Sequence, residues 1–456
     1  MTFNSWEFLL FYPIVLLLYF VLPKKCKWPM LLIASYYFYM CYQAELVFLI
    51  LGTTFISWAA SNIIEKSEKS GVRKLCLTVT LVVCLGVLFF YKYFNFLAGS
   101  VTGLIAYFGG TPSPVALNLI LPVGVSFYTF QTLSYVIDVY RGEAAQRNII
   151  SLGAYVAMFP QLIAGPIVRY SDVEKQLKYR THSFEKTAHG IRRFILGLSK
   201  KIILANTLGE LCDVFYTSPD KSVMFYWLFA ISYMLQVYFD FSGYSDMAIG
   251  LGKLFGFEFI ENFRYPFISS SISEFWRKWH ISLGSWFRDY VYIPMGGNRV
   301  KKSRLLLNIF TVWFLTGFWH GAEWNFIIWG LYFGGLLLIE KFFLTRILEK
   351  AKGLNHIYVL FFTAISFVIF SASGMKEALS YVGGLFGAGG IPFVSPTFIY
   401  NLRNYGFVLL IAILASTPLF VKIYDALKCN KKAKICLDIL EIPFLIILLL
   451  IVSGYL

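Results

Sequence analysis

Between Lys74 and Lys92 the chain carries no charged residue, reading L-C-L-T-V-T-L-V-V-C-L-G-V-L-F-F-Y. With a few residues on either side, such a run is long enough to cross ~30 Å of hydrocarbon as a helix. It constrains the fold more than any other feature, because backbone polar groups in lipid have to pair internally, which leaves helices and closed barrels. Its helix-length, non-alternating pattern recurs at 7–22, 29–42, 46–63, 75–97, 117–140, 194–212, 223–252, 304–319, 324–340, 356–372, 405–421 and 441–456. Several of these are shorter than the ~20 residues of a straight span and are expected to tilt or to enter only part-way. The 456 residues are 58% hydrophobic and 14% charged with a mean hydropathy of +0.66, which sets aside a string of soluble domains. The expected fold class is an all-α polytopic membrane protein with about 11–12 transmembrane helices, forming one membrane domain over 1–456.

The formal charge of +15 does not point to nucleic acid. Lysines and arginines collect in short connections such as Lys24–Lys27, Lys66–Lys74, Arg299–Arg304 and Lys428–Lys434, as the positive-inside bias requires. With both termini outside and twelve crossings, Lys221, Lys376 and Arg403 are the only basic residues left in outer connections. A cell-membrane, multi-pass location follows as an expectation. The first apolar run has no cations before it and three soon after, so it reads as a retained span rather than a cleaved signal. Segment 149–168 is apolar but broken by Pro160, Gly165 and Pro166, and is expected to be re-entrant. Segments 169–193 and 262–303 read as cytoplasmic and interfacial, the second a half-sunk helix in which Phe275, Trp276, Trp279, Trp286 and Phe287 alternate with cations. Outer connections are expected at 98–116 and 373–404. The seven cysteines lack a C-x-x-C pair and read as free thiols, with no metal site implied.

Two of the five histidines, His280 and His320, each follow a tryptophan. His320 lies in T-G-F-W-H-G-A-E-W, inside an apolar run. Burial penalises an imidazolium, leaving a neutral ring fit to accept a proton; the alternative is a histidine that ties helices together by hydrogen bonds. His280, in W-R-K-W-H-I-S-L, reads as a second proton-transfer or donor-side group, or as a helix-end hydrogen bonder. His182, His189 and His356 lie among charges and look solvated. Asp240 and Asp246, with Ser242, Tyr244 and Ser245 between them, sit in an apolar run. Their spacing puts them on different faces of a regular helix unless Gly243 bends it. Structural pairing is the first reading for both, with His320, Arg264 or a bound hydroxyl as partner. The turn Gly296-Gly297 and the cations Arg299, Lys301, Lys302 and Arg304 suit either a phosphate or ordinary positive-inside charge. No P-loop, G-x-S-x-G or H-E-x-x-H occurs.

Five strings taken together resemble the membrane-bound O-acyltransferases, in their bacterial alginate O-acetylation branch. They are S-F-Y-T-F-Q-T-L-S-Y-V-I-D-V-Y-R (126–141), F-P-Q-L-I-A-G-P-I-V-R-Y (159–170), Q-V-Y-F-D-F-S-G-Y-S-D-M-A-I-G (236–250), E-F-W-R-K-W-H-I-S-L-G-S-W-F-R-D-Y-V-Y-I-P-M-G-G-N-R (274–299) and G-F-W-H-G-A-E-W-N-F-I-I-W-G (317–330). The resemblance implies a ring of helices around a central tunnel, with core motifs at 121–330 between N-terminal helices (1–97) and C-terminal helices (356–456). It implies that His320 is the catalytic histidine and His280 the second one, on the cytoplasmic side. Asp240, Tyr244, Asp246, Trp319, Glu323 and Asn325 are expected to line the substrate tunnel. Arg277, Lys278, Arg288, Arg299, Lys301 and Lys302 are expected to meet the donor. The implied reaction moves an acyl group, most simply acetyl, from acetyl-CoA or an acyl-carrier thioester, with no covalently bound cofactor, to polysaccharide hydroxyls. Implied partners are membrane lipids, the polysaccharide acceptor, a secreted or membrane-anchored acetyltransferase- or esterase-like protein and an acyl carrier protein. The chain departs from its relatives at I-F-S-A-S-G-M (369–375), where they often carry an F-R-A-like run. Two rivals are D-alanyl transfer to teichoic acid and a non-catalytic polysaccharide or lipid transporter or scaffold.

Overall fold

The computed structural model describes residues 3–111 and 116–455, the Lys178 side chain excepted; within them every regular element is helical. Each of the twelve expected spans overlaps a helix. Seven helices among the described residues are long and apolar enough to cross a membrane: Val47–Lys66, Ser70–Tyr107, Val223–Leu254, Trp324–Lys350, Leu354–Ser371, Pro396–Ala415 and Lys431–Gly454.

Boundaries moved where the chain changes its backbone chemistry. The Ser70–Tyr107 helix takes in most of the expected 98–116 connection. Gly99 and Gly103 sit in it with open space around them, and the chain leaves helical geometry only around Gly109, at φ 85°. Residues 112–115 of that connection lie outside the described residues. The span expected from 117 begins helically only at Val125, after Gly124 at φ 71°, where a Cβ would stand 2.2 Å from the Leu162 carbonyl oxygen. The 373–404 connection contains the Met375–Leu385 helix. The span expected at 405–421 instead starts at Pro396, behind a Ser395 hydroxyl that accepts from the Phe398 N–H at 3.2 Å, and ends at Ala415 shortly before Pro418.

The chain forms two compact units. One comprises residues up to Ile191 together with Ala248–Ile260. Its centre is aromatic: Phe159 contacts the rings of Phe8, Phe11, Tyr12, Phe38 and Phe255. The Val47–Lys66 helix packs on Val125–Arg141 through small polar residues, with Thr53, Thr54, Ser57 and Ser61 buried on one helix and Thr129, Thr132 and Ser134 on the other. Small hydroxyl-bearing residues let membrane helices approach closely. Segment 149–168 breaks into Ile149–Ala157, Phe159–Leu162 and irregular backbone. That broken stretch is buried and internally paired, with the Tyr155 hydroxyl donating to Val168 O at 2.8 Å and Gln161 Nε2 to Tyr155 O at 2.7 Å. Non-helical backbone survives at membrane depth under that condition.

The other unit comprises Arg192–Met247 and Glu261–Leu456, with one apolar core shared by the Val223–Leu254, Trp324–Ile339 and Leu354–Ser371 helices and the 262–303 segment. That segment is not a half-sunk helix. It folds into the short helices Ile272–Lys278 and Ile281–Phe287 and a π-helical turn at Arg288–Tyr292. Phe275, Trp279, Trp286 and Phe287 are buried, and Trp276 packs against Trp313 at 4.7 Å. Their periodicity served the protein core rather than the lipid interface. The first short helix is anchored by Glu340, whose buried carboxylate accepts from Ile272 N–H at 2.5 Å and from Ser273 N–H and Oγ–H at 2.9 and 2.8 Å. A carboxylate at a helix N-terminus satisfies donors that have no intrahelical partner.

Candidate active site

His280 links the two short helices and is 1% exposed. Its backbone is left-handed, φ 45° and ψ 53°, a conformation shared among described non-glycine residues only with Tyr265. Such a conformation costs a β-substituted residue about 1–2 kcal/mol and persists where the surroundings over-determine it. Here they do so through Asn262. The Asn262 backbone oxygen accepts from Ile281 N–H at 3.0 Å, and its Oδ1 accepts from Ser282 N–H at 3.2 Å and Ser282 Oγ–H at 2.9 Å. His280 Nδ1 lies 3.1 Å from that same Oδ1. Asn262 Nδ2 in turn donates to Ser245 Oγ at 3.1 Å. Phe241 and Trp319 wall the imidazole edge-on, at 4.7 and 5.8 Å between ring centres. His280 lies outside the spanning helices. Burial pushes its pKa well below the usual imidazole value, with a smaller contribution in the same direction from His320.

His320 is the last residue of the Lys302–His320 helix. Trp319, Trp329 and Phe370 meet its ring edge-to-face at 5.0, 4.9 and 5.5 Å, and Trp319 therefore touches both imidazoles. Close helix contact holds this end in place. A Cβ on Gly317 would stand 2.3 Å from Phe326 O, and one on Gly330 would stand 2.3 Å from Trp313 O. Asn325 is buried and donates through Nδ2 to Ala372 O at 2.8 Å and Ile369 O at 3.3 Å. It therefore tethers the 369–375 stretch, the place where the sequence departs from the resemblance, so that Phe370 closes on His320. Glu323 occupies the N-cap position of the following helix, exposed and without a side-chain capping bond.

The two aspartates pair elsewhere than expected. The Val223–Leu254 helix runs unbroken through Gly243. Asp246 accepts from Arg193 Nε and Nη2 at 3.0 and 2.8 Å and from Lys200 Nζ at 2.6 Å, while Asp240 pairs with Lys201. Arg193 also forks onto Glu261 at 2.6 and 2.5 Å. Neither His320 nor Arg264 serves as partner in these pairs. Lys200 and Lys201 open a π-helical stretch, Lys200–Asn206, between Phe184–Ser199 and Thr207–Thr217. Its wider turn lets two consecutive lysines reach two carboxylates on the facing helix. Gly243 has another use: a Cβ there would lie 2.7 Å from Gly197 O, and one on Gly197 would lie 2.6 Å from Gly243 O. The two helices cross with their backbones touching. Tyr244 lies half-buried between the aspartates.

The expected donor-facing cations divide in two. Lys278 pairs with Glu274 at 2.7 Å and Arg288 with Asp289 at 2.6 Å. Arg277, Arg299, Lys301 and Lys302 are exposed and make no ion pair with a described residue. His182, His189 and His356 are exposed as expected, although His356 Nδ1 lies 3.0 Å from Ser269 O. Asn262, Ser282, Glu340 and the Arg193–Glu261 fork escaped the sequence reading. All seven cysteines are free.

The sequence profile described as MBOAT, membrane-bound O-acyltransferase family, matches residues 145–382, which contain both histidines. The chain is 42% identical over 393 residues to the probable alginate O-acetylase AlgI of Azotobacter vinelandii, covering 85% of this chain and 79% of that one. It is 31% identical over 419 residues to the peptidoglycan O-acetyltransferase of Helicobacter pylori, covering 84% of this chain and 79% of that one. A shorter match, 29% over 238 residues, links it to the teichoic acid D-alanyltransferase of Bacillus subtilis, covering 50% of this chain and 60% of that one.

Proposed function

Since the chain belongs to the membrane-bound O-acyltransferase family and is an acyltransferase, we propose that it carries acetyl groups from a cytoplasmic thioester, acetyl-CoA or an acyl carrier, toward hydroxyls of an external or cell-envelope polysaccharide. His320 acts as the base and His280 serves the donor side. As the acceptor oxygen attacks the thioester carbonyl, its O–H proton passes to His320, the C–O ester bond forms and the C–S bond breaks. The leaving thiolate takes that proton and departs as a thiol. A positioned base of this kind contributes roughly 10²–10⁴-fold. The observation that carries the reading is the shared ring of Trp319, which places two partly or fully buried imidazoles around one aromatic wall. Acetyl is favoured because identity to the alginate O-acetylase extends over most of both chains, whereas the D-alanyltransferase match covers half of this one. Asp240, Asp246 and Asn325 hold helices in this reading. The exposed cations Arg277, Arg299, Lys301 and Lys302 form the donor-facing surface; the acceptor oxygen is a hydroxyl of a secreted acetyltransferase-like protein, which transesterifies the acetyl group onto the polysaccharide hydroxyl and regains a proton on its own oxygen.

The test is a His320→Ala protein expressed in a deletion strain, with ester-linked acetate and D-alanine measured separately on the envelope polymers. Loss of acetate with membrane insertion intact supports the proposal. Retained acetylation removes His320 from the chemistry, and loss of D-alanine alone moves the protein to the teichoic acid branch.

A further inference from the structure

We propose that Asn262 is the positioning residue that fixes which nitrogen of His280 carries the proton, leaving Nε2 as a bare lone pair. The Ser282 backbone N–H donates and lies 3.2 Å from Asn262 Oδ1, so the oxygen end of that amide faces the histidine. The other end is fixed as well, since Asn262 Nδ2 donates to Ser245 Oγ at 3.1 Å. Turning the amide over would set two donors against each other at Ser282. Ser282 Oγ, 3.3 Å from the same nitrogen, directs its own hydrogen to Asn262 Oδ1 at 2.9 Å, so both oxygens beside His280 Nδ1 face it as acceptors and Nδ1 carries the hydrogen. The neutral ring has only one, and Nε2 is therefore unprotonated. It is also buried, with no hydrogen-bond partner among the described residues. A buried polar atom without a partner is uncommon and marks a place where a ligand group or water completes the bonding. In this tautomer Nε2 takes a proton before it can give one, which assigns His280 the part of an acceptor facing a thiol or hydroxyl.

Among the described residues, no charged side chain is paired with His280. Phe241 and Ser245 face the group from the Val223–Leu254 helix, Trp319 from the Lys302–His320 helix, and Asn262 and Ser282 from its own segment. His320 is the titratable group whose charge reaches it. Asp240 and Asp246 are engaged by Lys201, Lys200 and Arg193. Asn262 thus does with a neutral amide what a carboxylate does in a hydrolase triad: it sets tautomer and ring orientation, but adds no charge that would favour the imidazolium.

This assignment rests on the proposed role of His280 in acyl transfer, and the experiment separates the two. Purified protein labelled with ¹⁵N-histidine is compared by NMR with His280→Gln, which identifies the His280 signals, and with Asn262→Leu and Asn262→Asp. The wild type is expected to show His280 with Nδ1 protonated and Nε2 bare. Asn262→Leu loses that preference, and acetyl transfer in cells falls roughly 10–100-fold, the range seen when a residue orienting a functional histidine is removed. Asn262→Asp restores the acceptor, keeps the tautomer and moves the acid limb of the transfer profile upward by about 1–3 pH units, because a carboxylate stabilises the imidazolium. A packing role alone predicts neither the tautomer change nor the shifted limb. Nε2–H in the wild type, or an unchanged tautomer in Asn262→Leu, overturns the proposal. If His280→Gln transfers acetyl normally, the role given to His280 falls, while the NMR arm still judges the tautomer.

Discussion

Two polar constellations, one partly exposed and one centred on a buried imidazole, stand in the same unit and solve the same problem in opposite ways. In one, Arg193, Lys200 and Lys201 face Asp240, Asp246 and Glu261, so that three cations meet three carboxylates. In the other, Phe241 and Trp319 wall His280 and Trp319, Trp329 and Phe370 wall His320, with the Asn262 amide and the Ser282 hydroxyl beside the His280 ring. The ion cluster consumes its own charge and leaves little to offer a ligand. At the histidine site the described residues place no charged partner on His280 and leave its Nε2 as a proton-accepting atom in reserve. They are also one residue apart in two places: Glu261 and Asp246 belong to the ion cluster, while their neighbours Asn262 and Ser245 belong to the histidine site. The salt bridges thus brace the backbone from which the imidazole is held. Structural and chemical polarity differ here in whether charge is matched or kept out.

The largest effect that would break this division is at Asp246. Removing one partner from a mostly buried pair leaves the others uncompensated, and Asp246→Ala is expected to cost about 3–5 kcal/mol of stability. Thermal melting of the detergent-solubilised protein would show it. Adding Lys200→Met should recover part of the loss, since one stranded cation is then gone. A protein that melts normally but fails to transfer acetyl would instead place Asp246 in the chemistry. A smaller effect is expected where the bracing helices touch. Gly197→Ala puts a methyl 2.6 Å from Gly243 O, against backbone that cannot swing away. Overpacking of this kind costs roughly 1–3 kcal/mol. Its measurable signature is a lowered melting temperature together with partial loss of activity, because the helix that carries Ser245 is displaced.

The same contrast explains what could be read from the sequence. The spans were legible because membrane insertion depends on local apolarity, and each expected run overlaps a helix. His280 and His320 were legible because an ionisable residue in an apolar or aromatic setting stands out. The partners of Asp240 and Asp246 were not, since Arg193, Lys200 and Lys201 lie some forty to fifty residues earlier and look like ordinary positive-inside charge. The π-helical turn that aims both lysines has no composition of its own. Asn262 was invisible for a related reason: E-N-F reads as a loop, and its value comes from a left-handed backbone at His280 that no periodicity announces. The aromatics of 262–303 misled because the same pattern serves a lipid interface and a protein core.

The smallest expected effect lies at the imidazole itself. His280 has a folded-state pKa well below its ordinary value, chiefly through burial. Between that depressed value and about 6.5, the unfolded chain binds a proton at this position and the folded protein does not. Stability contributed by the neutral ring is therefore fully present above about pH 6.5 and is lost as pH falls below it, by at most about 1.4 kcal/mol per pH unit. His182 is also depressed, by burial and then by Arg180, Lys27 and Lys186, and adds its own loss in the same window. Glu274, held down to about 2 against its burial by Lys278 and Ser270, favours the fold above the ordinary carboxylate range and gives way only at lower pH. Melting curves between pH 7.5 and pH 5, taken in parallel on wild type and His280→Gln, cancel both of these contributions. The wild type should lose more stability on acidification than the variant, with the difference opening below about pH 6.5. Equal acid sensitivity would mean that water reaches the imidazole as freely as in the unfolded chain, and the charge-excluding half of the contrast would fail.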